Sequence, residues 1–293
     1  MVNQSDGSKM DISLLGQRFV VDPSVGLEFW RTIAAGRWER HSFELLQRLI
    51  TADDVVLDVG AWAGPLALFA ASLGAEVHAI EPDPEVYGAL VTNGGLNPQL
   101  RHPLRTYPLA IAPANGVQPL FARSAYGQSS TSLLHRVHDG VMSASCDAVT
   151  FTEFARQAGL ERVDLLKIDI EGGEFQILGD LTRFIASHQV RSVYLSLHFG
   201  HLREAQHQRR WGDSVVARLL FRGCERLSLR HGRGWFARRV EELWPLVQRF
   251  NHLSDATGRV IDGKEALLRH FSAGGQELVM TEEPWAGAVL SSV

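Results

Sequence analysis

Five short apolar runs mark the chain from residue 52 onward, at 55–59, 76–80, 107–111, 163–168 and 191–197. Each is short and dense in apolar residues, the pattern of a strand buried on both faces. Helix-like stretches follow at 65–73, 84–93 and 173–187. Two of them open on a proline, Pro65 and Pro84, where the missing N–H costs nothing and the fixed φ suits a first turn. This alternation predicts repeated βα units and a mostly parallel sheet covered on both faces. Between the third and fourth runs, VQPLFA and CDAVT read as extended segments around a small-residue loop, SAYGQSSTS, and a helix follows in FTEFARQAG. That predicts an inserted hairpin at about 115–150 whose loop overhangs a site. Beyond the fifth run come an amphipathic helix at 202–221 and two more strand candidates, RLSLR and ELVMT, separated by a mainly helical insertion at about 237–271. Such an ending predicts a closing antiparallel hairpin. Before residue 50 the pattern gives an extended segment, RFVVD, and a helix through HSFELLQRLI. The expected organisation is an N-terminal extension over 1–50 packed on one elaborated α/β domain over 51–293, without internal repeats.

Composition narrows the class. The chain has 293 residues, 45% hydrophobic and 21% charged, with 2 cysteines and a net charge of -4. Its apolar content is too high for disorder, its cysteines too few for a disulfide scaffold, and its charge too mild for a nucleic-acid-binding surface. No run approaches ~18 apolar residues, and the start MVNQSDGSKMD lacks the plan of a signal peptide, so no membrane span and a cytoplasmic location are expected. Cys146 and Cys224 lack metal-ligand spacing and read as small buried hydrophobes. The charge is uneven: residues 201–250 hold eleven arginines against five acidic residues and are +6, which leaves -10 elsewhere. Compositional bias accounts for this in part, since the chain has only three lysines. The other reading is a rim that favours an anionic acceptor.

The strongest local signal is VVLDVGAWAGPLALFAASLGAEVHAIEP. A buried strand ends in Asp58, a tight loop uses Gly60 and Gly64, a helix opens at Pro65, and Glu81 ends the next strand. In an open parallel sheet ligands bind at this edge. Glu81 suits a ribose diol, of a dinucleotide or of S-adenosylmethionine. A pyrophosphate wants bare backbone, usually G-x-G-x-x-G, whereas Trp62 stands in the middle position and Asp58 brings a negative charge. Asp58 suits the ammonium and sulfonium of S-adenosylmethionine better, so that cofactor is favoured. A nicotinamide-dependent oxidoreductase and a binding protein without catalysis are the alternatives.

These residues bring a family into view. The pieces GRWE at 36–39, DVGAWAG at 58–64, GAEVHAIEPDPEVYGALVTNGGLN at 74–97, GQSSTSL at 127–133 and LLKIDIEGGE at 165–174 resemble the FkbM family of class I S-adenosylmethionine-dependent methyltransferases. The resemblance runs from about residue 36 to 199. It implies a Rossmann-like, seven-stranded, mostly parallel sheet with a terminal antiparallel hairpin, and O-methylation of a sugar, glycan or secondary metabolite. The residues expected at the cofactor are Glu39, Asp58, Gly60, Ala61, Trp62, Gly64, Glu81, Pro82 and Asp83. Trp62 departs from the commoner asparagine, so its backbone carries that position.

A second acidic edge follows the fourth strand. Asp169 ends it, Glu171 lies in the next turn, and His198 and His201 follow the fifth strand on the same edge. These four are the catalytic candidates. Methyl transfer is an in-line displacement that needs an aligned and partly deprotonated hydroxyl. A histidine or carboxylate base supplies roughly 10²–10⁴-fold; the alternative is Mg²⁺ on Asp169 and Glu171. The base is preferred. Ser129 and Ser130, on the serine loop beside Thr131, are candidates for contact with the acceptor.

Overall fold

The computed structural model describes residues 4–5, 9–122, 131–135, 141–211 and 233–285. At the N-terminus β1 (Gln4–Ser5), β2 (Lys9–Leu14) and β3 (Gln17–Val21) form a small antiparallel sheet, followed by α1 (Leu27–Ala34) and α2 (Arg40–Leu49). The sequence reading found β3 and α2 but not β2 or α1. In β2 the alternation was legible: Met10, Ile12 and Leu14 are buried and the residues between them exposed.

The central sheet has seven strands. Along the chain run β4 (Val55–Val59), α3 (Pro65–Ser72), β5 (Glu76–Ile80), α4 (Pro84–Gly95) and β6 (Arg105–Tyr107). A second three-stranded sheet follows, made of β7 (Leu109–Ile111), β8 (Gly116–Ala122) and β9 (Val141–Val149). Then come α5 (Phe151–Ala158), β10 (Arg162–Ile168), α6 (Glu174–Ser187), β11 (Gln189–Ser196) and α7 (Phe199–Trp211). The described chain closes with α8 (Arg233–Val247), β12 (His252–Ser254), α9 (Gly263–Ser272) and β13 (Glu277–Thr281). The strand order is β12-β13-β11-β10-β4-β5-β6, parallel except that β13 runs antiparallel to both of its neighbours.

Two expectations change. The run 107–111 is not one strand: Tyr107 ends β6, and Leu109–Ile111 pairs with β9 in the other sheet. Pro108 lies between them and has no N–H to continue a ladder. The partner of β13 in the closing hairpin is the three-residue β12, too short to stand out as an apolar run; RLSLR lies outside the described residues. The inserted hairpin is present as β8 and β9.

Helix α3 shows how the extension and the domain depend on each other. Its sequence, PLALFAAS, is apolar all round, and Pro65 through Ala71 are all buried. A helix without a polar face needs cover on every side. The sheet supplies one side, and β3 and α2 the other, with Phe43 and Phe69 edge to face at 5.1 Å. Burial of Leu66, Leu68 and Phe69 stabilises this layer by roughly 1.5–3 kcal/mol each. The opposite face is filled by Phe151, Phe154 and Phe184 from α5 and α6, and by Phe271 from α9.

Candidate active site

A cleft opens at the carboxyl ends of β4, β5 and β10. Gly60, just after β4, has φ +82°, and a Cβ there would stand 1.8 Å from the carbonyl oxygen of Asp169. Only glycine lets the two loops touch backbone to backbone. Gly64 turns the chain into α3 at φ +93°, where a Cβ would come within 2.8 Å of Leu90 Cδ1. Gly60, Ala61 and Trp62 line the cleft and Gly64 does not. The Trp62 ring lies 4.4 Å from that of Phe29 and 6.0 Å from that of Trp30, so it also docks α1 beside the loop. Its Nε1 is buried without an acceptor.

Glu81 closes the other side of the loop. Its Oε2 accepts from Trp62 N at 2.9 Å and its Oε1 from Asp83 N at 2.8 Å. Burial pushes its pKa up to about 7 against the pull of those two donors. Pro82 lines the cleft beside it, but Asp83 turns away. The Asp83 carboxylate caps α4, accepting from Glu85 N at 3.0 Å, and takes the Thr131 hydroxyl at 2.9 Å. Asp83 is therefore a cap and a tether for the serine loop, not a wall of the cleft.

Asp58 also departs from its expected part. It is 2% exposed, and Lys167 Nζ stands 3.0 Å from its Oδ1. The sequence reading set Asp58 against the ammonium of a ligand, whereas the chain supplies that ammonium itself. Lys167 also donates to Gly60 O at 2.9 Å and lies 3.9 Å from Asp169 Oδ2, so it ties the β4 loop to the end of β10. Burial raises the Asp58 pKa, and Lys167 opposes it. Lys167 was missed, although a lysine inside the apolar run of a buried strand is itself a signal, because such a charge needs a partner. Glu39 does line the cleft. It precedes α2 at φ 35°, accepts from Ser42 Oγ at 3.1 Å, and has its pKa raised by burial and by the Asp169 carboxylate.

At the second edge the four candidates meet. His198 Nε2 is 3.6 Å from Asp169 Oδ1 and 3.8 Å from Glu171 Oε2. His201 Nδ1 is 2.8 Å from Glu171 Oε2, and the two imidazoles stack at 5.4 Å. A further residue, Glu174, completes the group: its Oε1 takes His198 Nδ1 at 3.1 Å and Gly172 N at 3.0 Å. It holds the turn before α6. Its place in LLKIDIEGGE was the available signal. Burial disfavours charge on His198, but Glu174, Asp169 and Glu171 outweigh it and push its pKa up to about 10. With no ion beside it, His198 is thereby favoured in its protonated form rather than as the free base.

Ser129 and Ser130 lie outside the described residues. At the end of their loop, Thr131 bonds Asp83 and Ser132 Oγ donates to Ile170 O at 3.4 Å, and both residues line the cleft. Glu39 and His198 also line a second, polar pocket with Ser196, Thr257, His270 and Glu277. The arginine stretch is not uniform. Arg239 is buried, with its guanidinium over the rings of Phe175 and Trp235, and Arg203 also lies over Trp235. Arg218, Arg222, Arg226 and Arg230 lie outside the described residues, as does Cys224. Cys146 is buried, which raises its pKa to about 11.

The strand order, the glycine loop after β4 and the acid at the end of β5 define a Rossmann-like class I methyltransferase fold. The Methyltransferase FkbM domain model matches residues 54–224, and the chain belongs to that family. Among solved structures, a SAM-dependent methyltransferase from Agrobacterium tumefaciens is 17% identical with a TM-score of 0.36, over 67% of this chain and 54% of that one. Methyltransferase FkbM from Methylobacillus flagellatus is 13% identical with a TM-score of 0.38, over 62% and 52%. The chain thus spans about half the length of these two structures. Comparison with curated proteins finds no match. Among the described residues no helix is long and apolar enough to cross a membrane.

Proposed function

We propose that the protein is an S-adenosylmethionine-dependent O-methyltransferase acting on a hydroxyl of a sugar, glycan or secondary metabolite. The observation that carries this reading is the junction of two pockets. The cleft at the glycine loop and the polar pocket beside β11 and β13 share Glu39 and His198, so a donor in one and an acceptor in the other would meet there. The cleft fits the cofactor in its chemistry. Gly60, Ala61 and Trp62 bring backbone to its wall, and an ionised Glu81 keeps lone pairs for a ribose diol after accepting two N–H groups. Glu39 and Asp169 also line the cleft and would serve the cationic, amino-acid end in place of Asp58, which is paired with Lys167. When bound, the cofactor supplies an electrophilic methyl group.

The chain's own residues then have to hold a hydroxyl in line and remove its proton. His198 already carries a proton at neutral pH, which leaves Asp169 as the acceptor. Its Oδ1 is buried and has no hydrogen-bond partner. His198 balances the surrounding carboxylates, and Glu171 and His201 support it from the other side. The polar lining of the second pocket, with Ser196, Thr257, His270 and Glu277, suits an acceptor rich in hydroxyls.

The test is a turnover assay with methyl-labelled S-adenosylmethionine on a panel of sugars, nucleotide sugars and small hydroxylated metabolites. Label is expected on an acceptor oxygen. Label on nitrogen or carbon would refute the O-methylation, and a chain that neither binds nor turns over the cofactor would refute the whole reading.

A further inference from the structure

The group after β10 has the arrangement of a metal centre. Asp169, Glu171 and His198 each offer a ligand atom, and these atoms all lie within 4.8 Å of one another. His198 separates this group from an ordinary acidic cluster. Its Nδ1 is held by Glu174 Oε1 at 3.1 Å, and the Glu174 side chain is 0% exposed, so the ring is fixed. Nε2 then faces Asp169 Oδ1 at 3.6 Å and Glu171 Oε2 at 3.8 Å. Both distances are too long for hydrogen bonds; they leave room for an ion between the three atoms. A carboxylate on the far nitrogen is what orients a metal-binding imidazole and strengthens it as a ligand.

Unpartnered oxygens point the same way. Asp169 Oδ1 is buried with no hydrogen-bond partner, and so is Glu174 Oε2, on a side chain with no exposure. Orphaned acceptors of this kind are costly unless a donor or a cation arrives. Glu171 is steadied by His201 at 2.8 Å, which keeps its oxygen at the group.

We infer that Asp169 Oδ1, Glu171 Oε2 and His198 Nε2 bind one divalent cation of the Mn²⁺ or Mg²⁺ class, with Glu174 as the residue that positions His198. Two hard oxygens and one imidazole suit such an ion, with water and the acceptor oxygen in the remaining places. The inference rests on the methyltransferase reading and replaces both the proton-accepting part given to Asp169 and the protonated state of His198, whose Nε2 proton the ion displaces. An ion held there would polarise the acceptor O–H and ease loss of its proton to solvent. The oxygen keeps the electron pair and forms the new O–C bond as the C–S bond breaks. The sulfur keeps that pair and becomes a neutral thioether.

The experiment is Mn²⁺ titration of the metal-stripped 293-residue chain, followed by the electron paramagnetic resonance signal of the free ion. Calorimetric binding of S-adenosylhomocysteine is measured on the same preparation. One Mn²⁺ per chain is expected, with affinity reduced about 10–100-fold by Glu174→Gln and by at least that much in His198→Gln. Glu171→Gln, at a partly exposed side chain, gives an independent loss if either of these variants melts early. Equal Mn²⁺ binding by wild type and His198→Gln overturns the ion site. If S-adenosylhomocysteine still binds, the methyltransferase reading survives that result. Mn²⁺ binding without any S-adenosylhomocysteine binding keeps the ion site and removes the methyltransferase reading instead.

Discussion

At the β4–β5 end of the cleft each carboxylate is answered from within the chain: Asp58 by Lys167, Glu81 by two backbone N–H groups, and Asp83 by the start of α4 and by Thr131. At the β10–β11 end three carboxylates, of Asp169, Glu171 and Glu174, crowd the one imidazole of His198. The first end is a frame whose charges are spent on holding the backbone in shape. The second keeps charge in hand for whatever enters. Substitutions at the first should register as stability or, at Glu81, as cofactor affinity, and at the second mainly as chemistry.

The largest break in the frame comes from Lys167→Met, which leaves Asp58 buried without its counter-ion. A loss of about 3–5 kcal/mol is expected in urea denaturation, and Asp58→Asn combined with Lys167→Met should recover most of it. If the double variant were no more stable than the single, the pair would not be the tie between the loops. At the other end His198→Ala is expected to cut turnover by at least roughly 10–100-fold while S-adenosylhomocysteine affinity stays within about twofold. An equal loss of both would erase the contrast.

The contrast also has a pH signature. In the metal-stripped chain the pKa of His198 is raised from 6.5 to about 10, so its contribution to stability is fully present below pH 6.5 and is lost as pH rises through about 10. The melting temperature should fall across that window, and His198→Gln should flatten the fall. The smallest effect belongs to the tether between the serine loop and the frame. Thr131→Val removes one hydrogen bond to Asp83, at about 1 kcal/mol, and thermal denaturation measures it.

How much of this was legible follows the same division. Apolar runs marked β4 and β5 to the residue, because each is buried on both faces, with only Asp58 in β4 and Glu76 and His78 in β5 breaking the apolar pattern. Glycine and acid at fixed places after those strands marked the loop and Glu81. What a one-dimensional reading could not give was the partner of each charge. Asp58 and Lys167 stand on neighbouring strands in register, yet far apart in the chain, so a strand-end carboxylate looked available when it was already paired. For His198 the position was legible and the protonation state was not, because that state depends on three carboxylates of the turn after β10 meeting the loop after β11. Glu174 was hidden in plain view, as its motif suggested a helix start and its contact with His198 required the fold.

The central claim is that the β4–β5 end frames a nucleoside through Glu81, and calorimetric titration with S-adenosylhomocysteine tests it most directly. Burial holds the pKa of Glu81 near 7, and its ionised form is the better acceptor for a ribose diol. The account requires one site per chain, affinity that strengthens as pH rises through about 7, and a Glu81→Gln variant that binds at least about 10-fold more weakly at pH 8 without that dependence. Wild-type chain that binds no S-adenosylhomocysteine at pH 8, or a Glu81→Gln variant that binds as tightly as wild type, would contradict it.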